Sequence, residues 1–421
     1  MEPPIGPVVT AAIHAGDRLR WRRRIAAAAA VAGLTAVAIT VPAFALGAGP
    51  ALTSRASVHG AGTAFIETSG NTVVAVNLVT GRAGRPIRLP GISLTDLYGH
   101  PMATAPDGQT VWVMRNTELT PINVRTDQAG RSVRLYTPGA LGALITDRGS
   151  RAYVALSPHG LLVVNLADRQ VLSEIMVPAC QYLVPSPDGR LIYGDCPGKG
   201  SGVAVISTTT NTVLRSVSLG DDPYAIAVAP DSTTAYAFAE GFSAISHGQT
   251  VGPFTLATRI DASTGAARTI KIRNTEAGAM APNGSLIYAA GQHALYAVSP
   301  VSGKAVGHWP LPERSVSALA VSPDGATAYA LGFPLGRSQQ AVLAMVNLRT
   351  GRVERLVHLP YRVDPNPDVV LQVSPDGQTV YAELQKSLTA SYAVAVDAGS
   401  GRIIAMTPVH FSFTYPVAFA R

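Results

Sequence analysis

The stretch SPDGATAYAL, Ser322 to Leu331, decides the fold, because the chain keeps returning to it. Related segments begin at Ala105 (APDGQTVW), Ser186 (SPDGRLIY), Ala229 (APDSTTAY), Ala281 (APNGSLIY) and Ser374 (SPDGQTVY), with a degenerate copy, TDRGSRAY, at Thr146. Pro-Asp-Gly supplies a preset φ, a side chain that caps its own turn, and a residue that tolerates positive φ, which together make a tight β-hairpin. Each copy places an aromatic at the same offset after the turn: Trp112, Tyr153, Tyr193, Tyr236, Tyr288, Tyr329 and Tyr381. Phe65, in AGTAFIET, takes the matching place in a first copy that has no turn before it.

An apolar strand such as SALAV precedes the turn and the aromatic strand follows it. An alternating strand (LLVVNL, YAVAVDA) comes next, often closed by Thr-Gly-Arg or Ser-Gly-Arg, and then a fourth strand such as RVERLVHL. With these strands named A to D, the unit is a four-stranded antiparallel blade. A period of about 40–52 residues between aromatics predicts an all-β propeller. Eight strands B predict eight blades, or seven if residues 116–135 do not pair. The first copy lacks strand A, and the chain ends in FTYPVAFAR, which has the pattern of one. The C-terminal strand is therefore expected to close the ring and so remove an exposed sheet edge. The aromatics are read as packing between blades.

The repeats resemble those of the YVTN-type β-propeller proteins, whose unit runs from an apolar strand through SPDG to a Tyr-Val-containing strand. The resemblance spans most of the chain after residue 51. It departs at the end of strand B, where the family's Asn appears only as Asn116, after TVWVMRN. It implies an extracytoplasmic propeller and carries over no catalytic residue.

The N-terminus bears the address. Residues 1–24 form a short basic segment with five arginines (Arg18, Arg20, Arg22, Arg23, Arg24) against Glu2 and Asp17. Residues 25–46, IAAAAAVAGLTAVAITVPAFAL, hold no charge, and as a helix would run about 33 Å, enough for a bilayer core. Arginines on the leading side orient the N-terminus inward and the domain of residues 51–421 outward. Two readings fit: an uncleaved signal anchor that makes the membrane a partner, or a signal peptide cleaved near Ala45, after Ala43-Phe44-Ala45. Net charge is +7 over 421 residues, but no Lys/Arg run follows residue 24, which argues against nucleic acid.

Two cysteines, Cys180 and Cys196, flank the turn at 186–189. Centring that hairpin on Asp188 pairs Ser186 with Arg190 and Cys180 with Cys196, so a disulfide is expected, as suits an oxidising compartment. The long insertions, 239–254, 332–340 and 383–391, all join strands B and C, which crowds them onto one face. Three phenylalanines, Phe242, Phe254 and Phe333, lie within them. The same face carries the residues that enter each strand A around the channel mouth: His100, Tyr182, Asp222, Tyr224, Glu276, Arg314, Asp368 and Tyr415. These are the candidate binding residues. There is no HExxH, CxxCH, GxSxG or P-loop pattern, so no catalytic residue, metal ligand or cofactor is assigned. The expectation is a non-enzymatic binding or scaffold propeller for a protein or cell-envelope partner. A lactonase-like hydrolase with its site at the channel mouth is the alternative.

Overall fold

The computed structural model describes most of residues 63–419. Residues 1–62 and several connections, among them 91–101, 197–201, 243–252, 334–339, 363–369 and 411–416, lie outside the described residues. The candidate span 25–46 is therefore not described; among the described residues no helix is long and apolar enough to cross a membrane.

Eight antiparallel sheets follow one another, each with its strands in the order A-B-C-D. The chain is an eight-bladed β-propeller, and residues 116–135 do pair, as strands C and D of blade 2. Blade 1 takes its strand A from the C-terminus: Val417, Ala418 and Phe419 pair with Ile66, Phe65 and Ala64. The hydrophobic core is correspondingly eight clusters rather than one. Each joins two successive blades, and the cluster of Tyr381 with Ala64 and Ile66 joins the eighth to the first.

Strand alternation sends every second side chain of strand B toward the following blade. All eight aromatics from Phe65 to Tyr381 take that direction and are buried there. Two of the phenols donate to acceptors on the next blade. Tyr153 Oη donates to Asn211 Oδ1 at 3.0 Å, and Tyr193 Oη donates to the Ser232 carbonyl at 3.0 Å. Burial, reinforced by the negative charge of Asp231, pushes the Tyr193 phenol well above its ordinary range.

The A–B turn is a small hydrogen-bond machine. Ser322 Oγ donates to Asp324 Oδ1 at 2.5 Å and accepts the Thr327 amide at 2.9 Å, while Asp324 Oδ1 accepts the Ala326 amide at 3.0 Å. Ser186 with Asp188 and Ser374 with Asp376 repeat the pattern. The turn glycines, Gly325 among them, have φ near +70°, which explains that position. They also leave room for the preceding turn. A Cβ on Gly284 would lie 3.1 Å from Pro230, and one on Gly377 would lie 3.5 Å from Pro323. Successive turns thus stack, glycine on proline, around one face. In blade 5 Ser232 replaces the glycine at φ 63°, and its hydroxyl accepts the Asp188 amide of the turn before.

The Cys180–Cys196 disulfide is present, but the register that led to it differs by one residue. Ser186 pairs with Leu191, its amide donating to the Leu191 carbonyl while its Oγ accepts the Leu191 amide, so Leu183 faces Gly194 and Tyr182 faces Asp195. The loop holds four residues rather than three, because Asp188 and Gly189 share its apex. Cys180 sits just before strand A, fully buried, and still reaches Cys196 because Gly194 has no side chain there: a Cβ at 194 would lie 3.1 Å from Cys180 Sγ.

Candidate functional site

The two faces of the ring differ in build. The A–B side is closed by tight stacked turns. On the other side the B–C hairpins are uneven. Blade 6 turns directly, with Gly291 opposite Ala294. In blade 5, strands Thr234–Phe242 and Pro253–Asp261 stay paired out to Phe242 opposite Pro253. In blade 8, strands Thr379–Ser387 and Ala390–Asp397 stay paired to Ser387 opposite Ala390. Blade 7 carries its strand B to Phe333 and resumes at Gln340. The described parts of the insertions expected as loops in blades 5 and 8 are therefore extensions of the paired strands. Ladder hydrogen bonds satisfy a backbone that would otherwise need water, and the strand pattern of the blade simply continues into them.

The two phenylalanines of these hairpins whose side chains are described are both partly covered. Lys271 Nζ lies 3.4 Å from the centroid of the half-buried Phe254 ring, a cation–π contact between strands D and C. Phe333 is half-buried against the core between blades 7 and 8. The side chain of Phe242 lies outside the described residues.

Of the candidate binding residues, Glu276 is described in full. Its Oε2 accepts from Ser315 Oγ at 2.7 Å and from the Val316 amide at 3.1 Å, so the carboxylate ties the entry of strand A in blade 6 to strand A of blade 7. Its role here is a latch between blades. Tyr182 and Tyr224 lie in the first strands of blades 4 and 5, at the end expected, with side chains outside the described residues. His100, Asp222, Arg314, Asp368 and Tyr415 fall outside the described residues altogether.

Three buried charges on strand B escaped the sequence reading. Arg115 is fully buried, Asp195 is 2% exposed and Glu383 is 3% exposed. Asp195 and Glu383 stand two residues after their blade aromatic, a position that is also acidic in blade 1 (Glu67) and is Met114, Ala155, Phe238, Ala290 and Leu331 in the other five blades. Arg115 ends its strand opposite Glu118. All three occupy the half of strand B nearest the hairpin face. Burial, with the adjacent Glu383 carboxylate, also raises the Tyr381 phenol well above its usual range. Aligning the eight copies position by position is the signal that would have found them. Among the described residues, no group of three or more His, Cys, Asp or Glu could hold a metal ion.

No family model matches the chain, and no curated protein matches it in sequence. Solved structures share the fold. The chain is similar to "Kuenenia stuttgartiensis Hydrazine Synthase", at 20% identity and TM-score 0.50 over 75% of this chain and 99% of that one. It is also similar to "Dihydro-heme d1 dehydrogenase NirN in complex with DHE", at 12% identity and TM-score 0.58 over 85% and 75%. A third likeness, to a "eukaryotic initiation factor" structure, has 10% identity and TM-score 0.54 over 83% and 96%. Neighbours this diverse in role, at such identities, establish the propeller and nothing about its ligand.

Proposed function

We propose that the protein is an exported or membrane-anchored propeller that acts as a non-enzymatic binding or scaffold module, using the face of its projecting hairpins. The observation that carries this reading is the asymmetry between faces: turns stacked flat on one side, and paired hairpins of blades 5 and 8 standing out on the other. Rigid, paired extensions present a surface at low ordering cost, which a recognition surface requires. The one fully described channel-mouth acid, Glu276, is engaged between blades rather than offered to a ligand. Export is supported by the disulfide, which belongs to an oxidising compartment. The uncharged stretch 25–46 behind its arginines and the resemblance to YVTN-type repeats support it further.

The test is site-specific photocrosslinking in intact cell envelopes, with the crosslinker at Phe242 or Phe333 on the hairpins and at Asp107 or Asn283 on the turn face. Discrete adducts from the hairpin positions alone are expected. Equal labelling from both faces, or none, overturns the reading. So does a thermal shift with a lactone or sugar that disappears when His100 or Arg314 is changed, which moves the function to the channel mouth.

A further inference from the structure

Strand D of blades 1 and 2 is built unlike that of any other blade. In both it is broken in two, Arg82–Ala83 with Ile87–Arg88 and Gln128–Ala129 with Val133–Arg134. Both breaks carry one pattern, Gly-Arg-x-(Ile/Val)-Arg-Leu: GRPIRL at 84–89 and GRSVRL at 130–135. The backbone bond is shared too. Gly84 N–H donates to the Ala75 carbonyl and Gly130 N–H to the Pro121 carbonyl, each at 2.7 Å. In each copy the aliphatic pair turns inward, with Ile87, Leu89, Val133 and Leu135 all buried. The arginine pair turns out: Arg85, Arg88, Arg131 and Arg134 are exposed. Two acids lie near these arginines: Glu118, opposite Arg134 across the strand register, and Asp127, whose Oδ2 would lie 3.3 Å from a Cβ on Gly84, so the four exposed arginines outnumber the neighbouring carboxylates two to one.

Adjacent blades in an eight-membered ring differ by about 45° (360°/8). A flat surface laid against the outer edge of such a ring therefore meets two neighbouring blades and leaves the rest. Blades 1 and 2 are also the first two after the apolar stretch 25–46. The intervening residues 47–62 number 16 and reach at most about 55 Å fully extended.

We propose that the outer edge of blades 1 and 2 docks on an anionic membrane surface, with the four arginines set against lipid phosphates. The proposal rests on the anchored form of the reading above. It extends that reading by assigning an orientation: the propeller lies on its edge, so that the hairpin face stands clear of the bilayer. A basic residue close to an anionic bilayer contributes about fivefold in surface partitioning, so reversing two charges changes docking by well over tenfold. A strong salt dependence follows from screening.

The full-length chain, whose described cysteines are both in the disulfide, is reconstituted into vesicles of phosphatidylcholine with or without 30% phosphatidylglycerol. A single added cysteine carries a fluorophore, either at Gln128→Cys beside the arginines or at Val301→Cys, 80% exposed on the opposite blade 6. Headgroup-quencher lipid is expected to quench the label at 128 in anionic vesicles only. Quenching is expected to be lost in 0.5 M salt and in the Arg85→Glu/Arg131→Glu variant, and kept in Arg85→Lys/Arg131→Lys. Circular dichroism verifies that each variant is folded. Equal quenching in neutral vesicles, quenching at 301, or quenching that survives charge reversal overturns the proposal. So does binding of soluble polyphosphate at these arginines without vesicle docking, which makes the occupant a polymer. Extraction of the chain by alkaline carbonate refutes the anchor but not the docking, which then reads out as flotation with anionic vesicles that charge reversal abolishes.

Discussion

Replacing Ser322 by Ala probes how the propeller holds its turns. The hydroxyl gives Asp324 a proton contact at 2.5 Å and accepts the Thr327 amide at 2.9 Å, and Ser322 is buried. Leaving a buried amide without its acceptor costs about 1–3 kcal/mol. Blade 5 shows how the chain copes without the serine: Ala229 stands there, and Asp231 Oδ1 accepts the Thr234 amide directly at 2.8 Å. Asp324 can swing the same way, which places the loss at the low end, about 1 kcal/mol per turn. With unfolding entropy of about 2.1 cal/mol/K per residue over roughly 350 residues, this lowers Tm by about 1.4 °C. Ser186→Ala, in blade 4, shares no contact with the blade 7 turn, so its effect adds to that of Ser322→Ala within about 0.5 kcal/mol. Ser374→Ala should not add cleanly, because the blade 8 turn stacks on Pro323. Scanning calorimetry of the singles, both pairs and the triple checks this, with a loss near 3 °C expected for the 186/322 pair and a triple loss that departs from the additive value of about 4 °C. An unchanged Tm in the triple, or coupling between 186 and 322 with strict additivity between 322 and 374, refutes the account.

Acid should act on the same turns. Ser186 and Ser322 hydrogen bonds hold Asp188 and Asp324 below the usual carboxylate range, Ser263 takes Asp261 to about 2, and Ser400 lowers Asp397. Folded values below the unfolded value of about 3.9 give stability that is complete above that pH and lost on descending toward 2. Tm should therefore fall between pH 4 and 2 and show no slope from these groups between 5 and 8. Asp261→Asn should flatten the fall, and an unaltered acid limb would count against the assignment. Ending the chain after Tyr415 removes the partners of Ala64, Phe65 and Ile66 and bares the strand B edge. Self-association on size exclusion is expected, and a stable monomer would show that ring closure is dispensable. Joint replacement of Cys180 and Cys196 by alanine should cost about 3 kcal/mol, seen as a Tm drop near 4 °C that reduction of the wild type reproduces.

The repeat made the architecture legible. Seven aromatics at one offset from seven turns, with Phe65 in a first copy that lacks the turn, specify eight strands B, and a first blade lacking strand A beside a C-terminus that looks like one specifies closure. These are local patterns copied many times, so noise in one copy is averaged out by the others. The disulfide was legible for the same reason, although its register was not. Whether a hairpin apex holds three or four residues depends on which amide Ser186 Oγ accepts, and sequence spacing does not report that choice.

By itself, then, the sequence determined the fold class, the closing strand and the side of the ring on which the insertions fall, because period and turn chemistry are written along the chain; the choice of eight blades over seven waited on the pairing of residues 116–135. Only the tertiary structure decided what single positions do. Glu276 became a latch because Ser315, 39 residues away, stands across a blade boundary. Phe254 is covered because Lys271 crosses to it from the next strand. Arg85 and Arg131 share a surface because ring packing sets neighbouring blades edge beside edge. Contacts between blades join residues some forty positions apart, and a one-dimensional pattern carries the period of such contacts but not the partners.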